Sequence, residues 1–264
     1  MTSISLHTAP PRGAIWGEQL RAVGVAIRTE ALVYVGVLAA LSMAGIIGVW
    51  RARSSPEFSS SGVLEISFAS ELMIPISLIA LFIPLVVWRT EEPSRRSYHW
   101  SMPVNPAHHT LAKVAAGWLW ALAAAAVFVF QVATIGGIMA WMAGTSVEYP
   151  RAWEWAAVFT TASIAYFLGS AAAVGSEHPW RWIAGLFFGV LIGKELMDAF
   201  GFDVVEELLE RIATGRYGLS AAIWGDLRSA ANGGIAQWIG ASIIWGALAI
   251  AAVVSVAFWR TKEG

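Results

Sequence analysis

Residues 89–113, which lie between two long apolar stretches, are dense in charged side chains. The segment mixes acidic and basic side chains, contains prolines and ends with a lysine where the next apolar stretch begins. It could simply fix the orientation of the neighbouring helices, or it could present a charged surface to a cytoplasmic partner. Its length and mixed charge favour the second interpretation, a surface on which a cytoplasmic partner docks. The candidate residues are Glu91, Glu92, Arg95, Arg96, Pro103 and Lys113.

Five other ionisable residues lie at the edges of apolar stretches, where charge is costly and often functional. They are Glu65, Glu71, Lys194, Glu195 and Asp198. Lys194 and Asp198 are four residues apart, the spacing at which side chains pair on a helix. Two interpretations stay open for this set. The residues either line a pathway for protons or substrate, or pair with one another in the outer membrane interface.

Several kinds of catalytic site are missing from the sequence. There is no GxxxxGK[ST] motif, because the only Gly-Lys pair, Gly193-Lys194, is followed by Glu195. There is no HExxH motif and no cysteine, which excludes thiolate metal sites and cysteine nucleophiles. His108 and His109 would diverge by about 100° on a helix. We therefore predict no metal, no cofactor and no enzymatic activity; an enzyme acting on lipids would need a nucleophile or acid–base set that is not evident.

The composition indicates which elements must position these residues. Of the 264 residues, 57% are hydrophobic and 13% are charged, whereas soluble domains carry about 25% charged residues. A bilayer accommodates this excess of apolar surface, and continuous apolar runs of about 20 residues select helices rather than a barrel. The sequence therefore predicts an all-α polytopic membrane protein, with residues 1–264 forming a single transmembrane domain and no cleaved signal peptide.

We predict six transmembrane helices, of which all but the fifth have the length that a membrane crossing needs. They cover about 31–50, 68–88, 114–142, 155–174, 182–193 and 235–259. The fifth is the shortest, and a continuation to Phe200 is open. Ten of the 17 Lys and Arg residues fall on the side of the N-terminus, which places both termini in the cytoplasm. We expect a multi-pass protein of the plasma membrane, that is, the cytoplasmic (inner) membrane of a bacterium or archaeon.

Three segments complete the predicted architecture. Residues 14–28 have one apolar helical stripe, which suits an N-terminal elbow helix lying in the inner interface. Residues 202–231 are the longest polar connection and are expected to form short outer helices between spans five and six. Gly185, Gly189 and Gly193 form a stripe of small residues that suits close helix packing. Asn105 before Pro106 suits the start of a helix that runs into the third span.

This layout resembles the permease subunit of ABC-2-type (type-2 exporter-like) ABC transporters. The resemblance covers nearly the whole chain in architecture: the elbow helix at 14–28, six spans, and short outer helices within 202–231. Its sequence motif lies in the first cytoplasmic loop, where acidic residues precede a proline and a lysine that enters the third helix. Glu91, Glu92, Pro103 and Lys113 match this order, while Arg96, Ser97 and Tyr98 occupy the place of the family's usual Gly-Thr pair.

The resemblance implies an ATP-powered exporter in which a separate cytoplasmic ABC ATPase pushes on the 89–113 loop. It also implies a second permease, as a homodimer or a paired chain, because six spans make half of the pathway. Nothing indicates a nucleic-acid partner, and the cargo is open. The alternative function is a non-transporting membrane scaffold or assembly factor with the same fold, which would bind its partners through the same loop.

Overall fold

The computed structural model describes residues 12–53, 63–65, 70–89, 106–176, 178–181, 183–185, 192, 207, 212, 217–223 and 234–260. We number its elements in chain order. The helices are α1 (Arg12–Ala26), α2 (Arg28–Arg53), α3 (Ser70–Arg89), α4 (Pro106–Ala143), α5 (Ala152–Gly175), α6 (Leu219–Ile223) and α7 (Gly234–Arg260), and the strands are β1 (Val63–Glu65) and β2 (Ser146–Glu148).

Four of these helices, α2, α4, α5 and α7, are long and apolar enough to cross a membrane. They have 26, 38, 24 and 27 residues, whereas a hydrocarbon layer about 30 Å thick needs about 20. The first, third, fourth and sixth predicted spans lie within them, so these four predictions are confirmed as apolar helices. The described part of the chain has the composition and helix content of an all-α, multi-pass membrane protein.

Two predicted spans have less support. The second coincides with α3, which has 20 residues and two internal prolines, Pro75 and Pro84. Its apolar part, Pro75–Arg89, is shorter than the apolar parts of the other four helices. The fifth predicted span lies mostly outside the described residues. The part of it that is described, residues 183–185 and 192, is helical.

Helices α1 and α2 run side by side with α4 and in the same direction. Four side chains join them to α4, and each of their hydrogen bonds connects residues 89 to 100 positions apart. Backbone bonds from Ile27 to Val23 (3.0 Å) and from Ala31 to Ile27 (2.8 Å) continue the helical pattern across the break between α1 and α2. The predicted N-terminal helix is therefore present, and it packs along α4; its position in the membrane interface stays a prediction.

The remaining long helices run the opposite way. Arg89 at the end of α3 lies beside Glu30 at the start of α2. Helices α5 and α7 are parallel to each other, because Trp153 contacts Trp238 near their starts and Gly175 lies against Val256 near their ends. We call the end that holds the start of α2 and the end of α3 the loop end, and the opposite end, where both strands lie, the strand end.

The two strands were not predicted. They pair in parallel at the strand end, with Val63 opposite Ser146 and Glu65 opposite Glu148. The pair brings the connection after α2 against the connection after α4. Between α4 and β2, Gly144 adopts a φ of +70°, and the Gly144 and Thr145 amides donate to the carbonyls of Trp141 and Ala140. This Schellman arrangement ends the 38-residue helix.

The interior of the bundle lies where α3, α4 and α5 meet. Helix α5 is the most deeply packed of the four long apolar helices. Its Tyr166 and Val158 are completely buried, as is Val87 of α3. At Gly169, α5 touches the backbone of Leu81 on α3 directly. Glycine is required here because any side chain would meet backbone atoms, which cannot swing away.

The 202–231 segment is described at Glu207, Ile212 and residues 217–223. Within it, α6 packs beside α5 and α7 rather than beyond their ends. Ala222 of α6 is buried with Ile164 of α5 and Ala241 of α7, and the Trp245 indole donates to the Tyr217 carbonyl (3.0 Å). A short helix is therefore present within this segment, where it contacts α5 and α7, and its position on the outer side stays a prediction.

Candidate functional site

The 90–105 segment is attached to the bundle by the end of α3 and the start of α4. Three residues at these attachment points, Trp88, Arg89 and Lys113, form what we call the loop-end cluster together with Glu30 at the start of α2. Lys113 is only 7% exposed, and its ammonium lies 4.4 Å from the centre of the Trp88 ring. A buried cation needs such compensation because water is excluded from it. This contact fixes the last turn of α3 to the second turn of α4.

The other half of the cluster faces solvent. Arg89 and Glu30 approach to 3.9 Å, and their side chains are 74% and 39% exposed. An ion pair this exposed contributes about 0–1 kcal/mol, so it is a weak link between α3 and α2. The buried Lys113–Trp88 contact is therefore the stronger of the two contacts at the loop end.

Helix α5 holds the same stretch of α4 from the other side. The Tyr166 hydroxyl donates to the carbonyl of Val114 (2.7 Å), one residue after Lys113. One turn later, the Trp118 indole donates to the Ser163 hydroxyl (3.0 Å). Gly117 lies against the Tyr166 hydroxyl, so a side chain at this position would displace it. Two hydrogen bonds therefore join the stretch of α4 that follows Lys113 to α5.

Helix α1 completes the contacts around the first half of α4. The Gln19 amide lies 3.0 Å from the ring nitrogen of His109. The Trp120 indole donates to the Leu20 carbonyl (3.1 Å), and its ring covers Gly24 so closely that a Cβ there would come within 2.7 Å. The region that follows the 90–105 segment is thus surrounded by α1, α3 and α5.

Polar contacts deeper in the bundle were missed by sequence reasoning. The Gln131 amide donates to the Leu38 carbonyl and to the Ser42 hydroxyl, joining α2 to α4. The Tyr34 hydroxyl donates to the Ala124 carbonyl (3.1 Å). An isolated glutamine within an apolar span was the available signal, since such side chains usually bond across helices.

Only one of the predicted docking residues lies in the described part of the chain. Lys113 is described, whereas Glu91, Glu92, Arg95, Arg96 and Pro103 lie outside the described residues. Lys113 was predicted as the end of a charged loop, and the structure buries it against Trp88.

The other candidates are scattered. Glu65 lies on β1 opposite Glu148, and Glu71 lies in the first turn of α3, so both belong to the strand end. Gly185 is helical and has no described atom within 4 Å of where its Cβ would be. Gly189, Gly193, Lys194, Glu195 and Asp198 lie outside the described residues.

Among the described residues, no group of three or more His, Cys, Asp or Glu side chains could hold a metal ion. His109 is engaged with Gln19, and His108 is exposed. The contacts of the loop-end cluster join α2, α3 and α4. Comparisons with protein-family models, with characterised proteins and with solved structures find no match to this chain.

Proposed function

We propose that this chain is the membrane-spanning permease subunit of an ATP-powered ABC exporter, driven by a separate cytoplasmic ATPase. One observation carries the proposal: both attachment points of the 90–105 segment are locked together by the buried Lys113–Trp88 contact. A push on that segment would reach α3 and α4 at once, and would reach α5 through the Tyr166–Val114 bond. This is the linkage that a loop needs if it is to switch a bundle between two states.

Six spans with both termini in the cytoplasm form the proposed topology. Its support is the parallel arrangement of α5 and α7, whose starts share the strand end. Because α5 ends at the loop end and α7 starts at the strand end, the chain between them must cross the membrane an odd number of times. The 24 residues of α5 rise about 36 Å, and residues 182–200 are the apolar stretch available for the return. The loop end is then cytoplasmic.

Single-cysteine labelling tests this topology, and the cysteine-free chain needs no prior substitutions. His178 after α5 and Ala236 in the first turn of α7 are both exposed. We expect His178→Cys to react with a membrane-impermeant maleimide only from the cytoplasmic side, and Ala236→Cys only from outside. Tyr149→Cys at the strand end is the control for outside labelling. Reaction of positions 178 and 236 from the same side would exclude a fifth crossing.

A second copy of the chain, or a paired permease, is part of the proposal. Helix α2 packs against α4 through one stripe, and Leu38 is the only buried residue among its described side chains. On the opposite face, small exposed residues recur every four positions, and the glycines among them have no described atom within 4 Å of their Cβ positions. They are Gly36, Ala40, Ala44 and Gly48. This spacing lets two helix backbones approach closely in a membrane.

Purification in mild detergent followed by mass spectrometry tests the ATPase partnership. We expect the tagged chain to bring with it a P-loop ATPase in equal amount, with two copies of each in the native complex. The double charge reversal Glu92→Lys with Arg96→Glu should reduce ATPase recovery about tenfold, since unfavourable charge pairs at an interface cost several kcal/mol.

The matched control reverses two exposed charges at the strand end, Arg51→Glu with Glu148→Lys, and should leave recovery unchanged. A chain that purifies without any ATPase would contradict the proposal. Recovery with other membrane proteins instead would favour the alternative, a membrane scaffold or assembly factor.

A further inference from the structure

Two exposed arginines at the loop end have no ion-pair partner among the described residues. They are Arg21 of α1 and Arg28, the first residue of α2. The ion pair found in the described part of this end joins Arg89 to Glu30 instead. Seven residues make two helical turns, and backbone bonds continue the helical pattern across the break between α1 and α2. Arg21 and Arg28 therefore share one face and lie about 10 Å apart along the helix axis.

Apolar side chains alternate with the two arginines on this face. Val25, four residues after Arg21, is 70% exposed, and Leu32, four residues after Arg28, is 66% exposed. The opposite side of α1 is packed against the bundle, where Val23 is buried. A helical face that combines arginines with exposed apolar side chains is typical of a membrane interface, because its charged groups can reach the headgroups while its apolar groups contact hydrocarbon.

Exposed tryptophans indicate where the membrane boundaries cross these helices. Trp120 and Trp141 of α4 are both exposed and lie 21 residues apart, which is about 32 Å along the helix. Trp50 of α2 is exposed as well and follows Arg28 by 22 residues, about 33 Å. Both lengths match a hydrocarbon layer about 30 Å thick with an interfacial residue at each end. Arg28 therefore lies at the headgroup level of the loop end, and Arg21 lies about 10 Å further from the hydrocarbon.

The acidic side chains nearby do not neutralise the two arginines. Glu30 approaches Arg89, at 3.9 Å. Glu18 is exposed on α1, but it precedes Arg28 by ten residues, which is about 15 Å along the axis. Within the described part of the chain, Glu18 forms no ion pair with Arg21 either. The face is therefore positively charged at the level of the headgroups, and guanidinium groups bind phosphate through paired hydrogen bonds.

We propose that this face binds anionic phospholipids of the adjoining leaflet. Arg28 contacts the lipid phosphate, Leu32 contacts the start of an acyl chain, and Arg21 places positive charge where a zwitterionic lipid would place its ammonium group. A lipid is favoured over an acidic protein surface because the same face continues into the apolar part of α2. The headgroup site lies two turns before Gly36, where the small-residue face assigned to a second copy begins.

This proposal does not depend on the proposed transport function. It requires only that the start of α2 lies at a membrane boundary.

The test uses the full-length chain in detergent and two phospholipids with identical acyl chains, phosphatidylglycerol and phosphatidylcholine. Both carry a phosphate, but only phosphatidylcholine carries a compensating positive charge. Native mass spectrometry measures the binding of each lipid. We expect the wild type to bind phosphatidylglycerol about tenfold more tightly, because each basic side chain near an anionic surface contributes up to about fivefold. This preference should shrink as salt is added, since exposed charges are screened.

The double variant Arg21→Gln with Arg28→Gln should lose the preference for phosphatidylglycerol. Arg21→Lys with Arg28→Lys keeps both positive charges and should retain it. Because both arginines are exposed, the glutamine variant should unfold at the wild-type temperature in phosphatidylcholine.

The matched control, Arg51→Gln with Arg53→Gln, removes the same charge from the other end of α2, where both side chains are also exposed. It should keep the preference, because residues two apart do not share a helical face and the carbonyls at a helix C-terminus disfavour anions. Equal binding of the two lipids by the wild type would overturn the proposal. A preference that survives in Arg21→Gln with Arg28→Gln, or one that is lost in the control, would overturn it too. If the glutamine variant kept its lipid preference but lost a co-purifying protein, the face would be a protein-docking surface instead.

Discussion

Replacing Gly169 with valine is expected to lower the stability of the helix bundle strongly. A Cβ at this position would overlap the Leu81 carbonyl oxygen and come within 3.1 and 3.2 Å of its carbonyl carbon and Cα. These atoms belong to the backbone of α3, so relief requires the two most extensively packed helices to separate. Overpacking of this kind costs roughly 3 kcal/mol or more, which corresponds to a fall in unfolding temperature on the order of 10 °C.

The measurement is thermal unfolding in detergent, followed by size-exclusion chromatography of the heated sample. Gly246→Val is the matched control, because Gly246 lies on α7 and no described atom comes within 4 Å of its Cβ position. The control should unfold at the wild-type temperature. If Gly169→Val unfolds at that temperature too, the close approach of α3 and α5 is wrong.

Replacing Lys113 with methionine is expected to weaken coupling between the ATPase and the bundle while leaving the unfolding temperature nearly unchanged. Methionine keeps a long flexible side chain against Trp88 but removes the charge. Removing the charge also removes the cost of burying it, which offsets the contact that is lost, so the unfolding temperature should change little. The contact with the Trp88 ring, worth up to about 2 kcal/mol when desolvated, would be lost. Coupling between the ATPase and the bundle should fall about tenfold.

The readout is cargo-independent: nucleotide hydrolysis by the purified complex, compared with hydrolysis by the ATPase alone. Lys113→Arg should retain the coupling, because the guanidinium also stacks on aromatic rings. Equal coupling in the methionine and arginine variants would show that the charge at this position has no role in transmission.

The long apolar helices could be predicted from sequence because composition alone decides them. A run such as 114–142 can only be buried or placed in lipid, and α4 indeed contains it. The helix start at Pro106 was predictable as well, since proline lacks the amide that a helix leaves unpaired at its first position.

The contacts between helices could not be predicted in the same way. The sequence around Gly169 does not identify its contact with Leu81, because that contact depends on how the two helices cross. Strands of three residues have too little pattern to be recognised, and β1 and β2 pair across about 80 positions. The apolar stripe of α1 indicated an amphipathic helix. Its packing partner, the first half of α4, could not be predicted from the residues of α1 alone.

The candidate site was predictable in position rather than in mechanism. The charged loop pointed to the ends of α3 and α4, and Lys113 was identified as its boundary. Its burial against Trp88 depends on the helix packing, as does the connection from Val114 to Tyr166. The sequence alone therefore predicted a docking surface, while the packed side chains supply a route from that surface into the bundle.

The central claim is that nucleotide binding by a partner ATPase moves the bundle through the loop-end cluster. Tyr149 at the strand end is 49% exposed, and its hydroxyl lies next to Gly137 of α4. Labelling of Tyr149→Cys in the purified complex, reconstituted in nanodiscs, reports movement at the end of the bundle farthest from the ATPase. We predict that the labelling rate differs between nucleotide-free and ATP–vanadate-trapped complexes, and that Lys113→Met abolishes the difference. A rate that is the same in both nucleotide states of the wild-type complex would contradict the account.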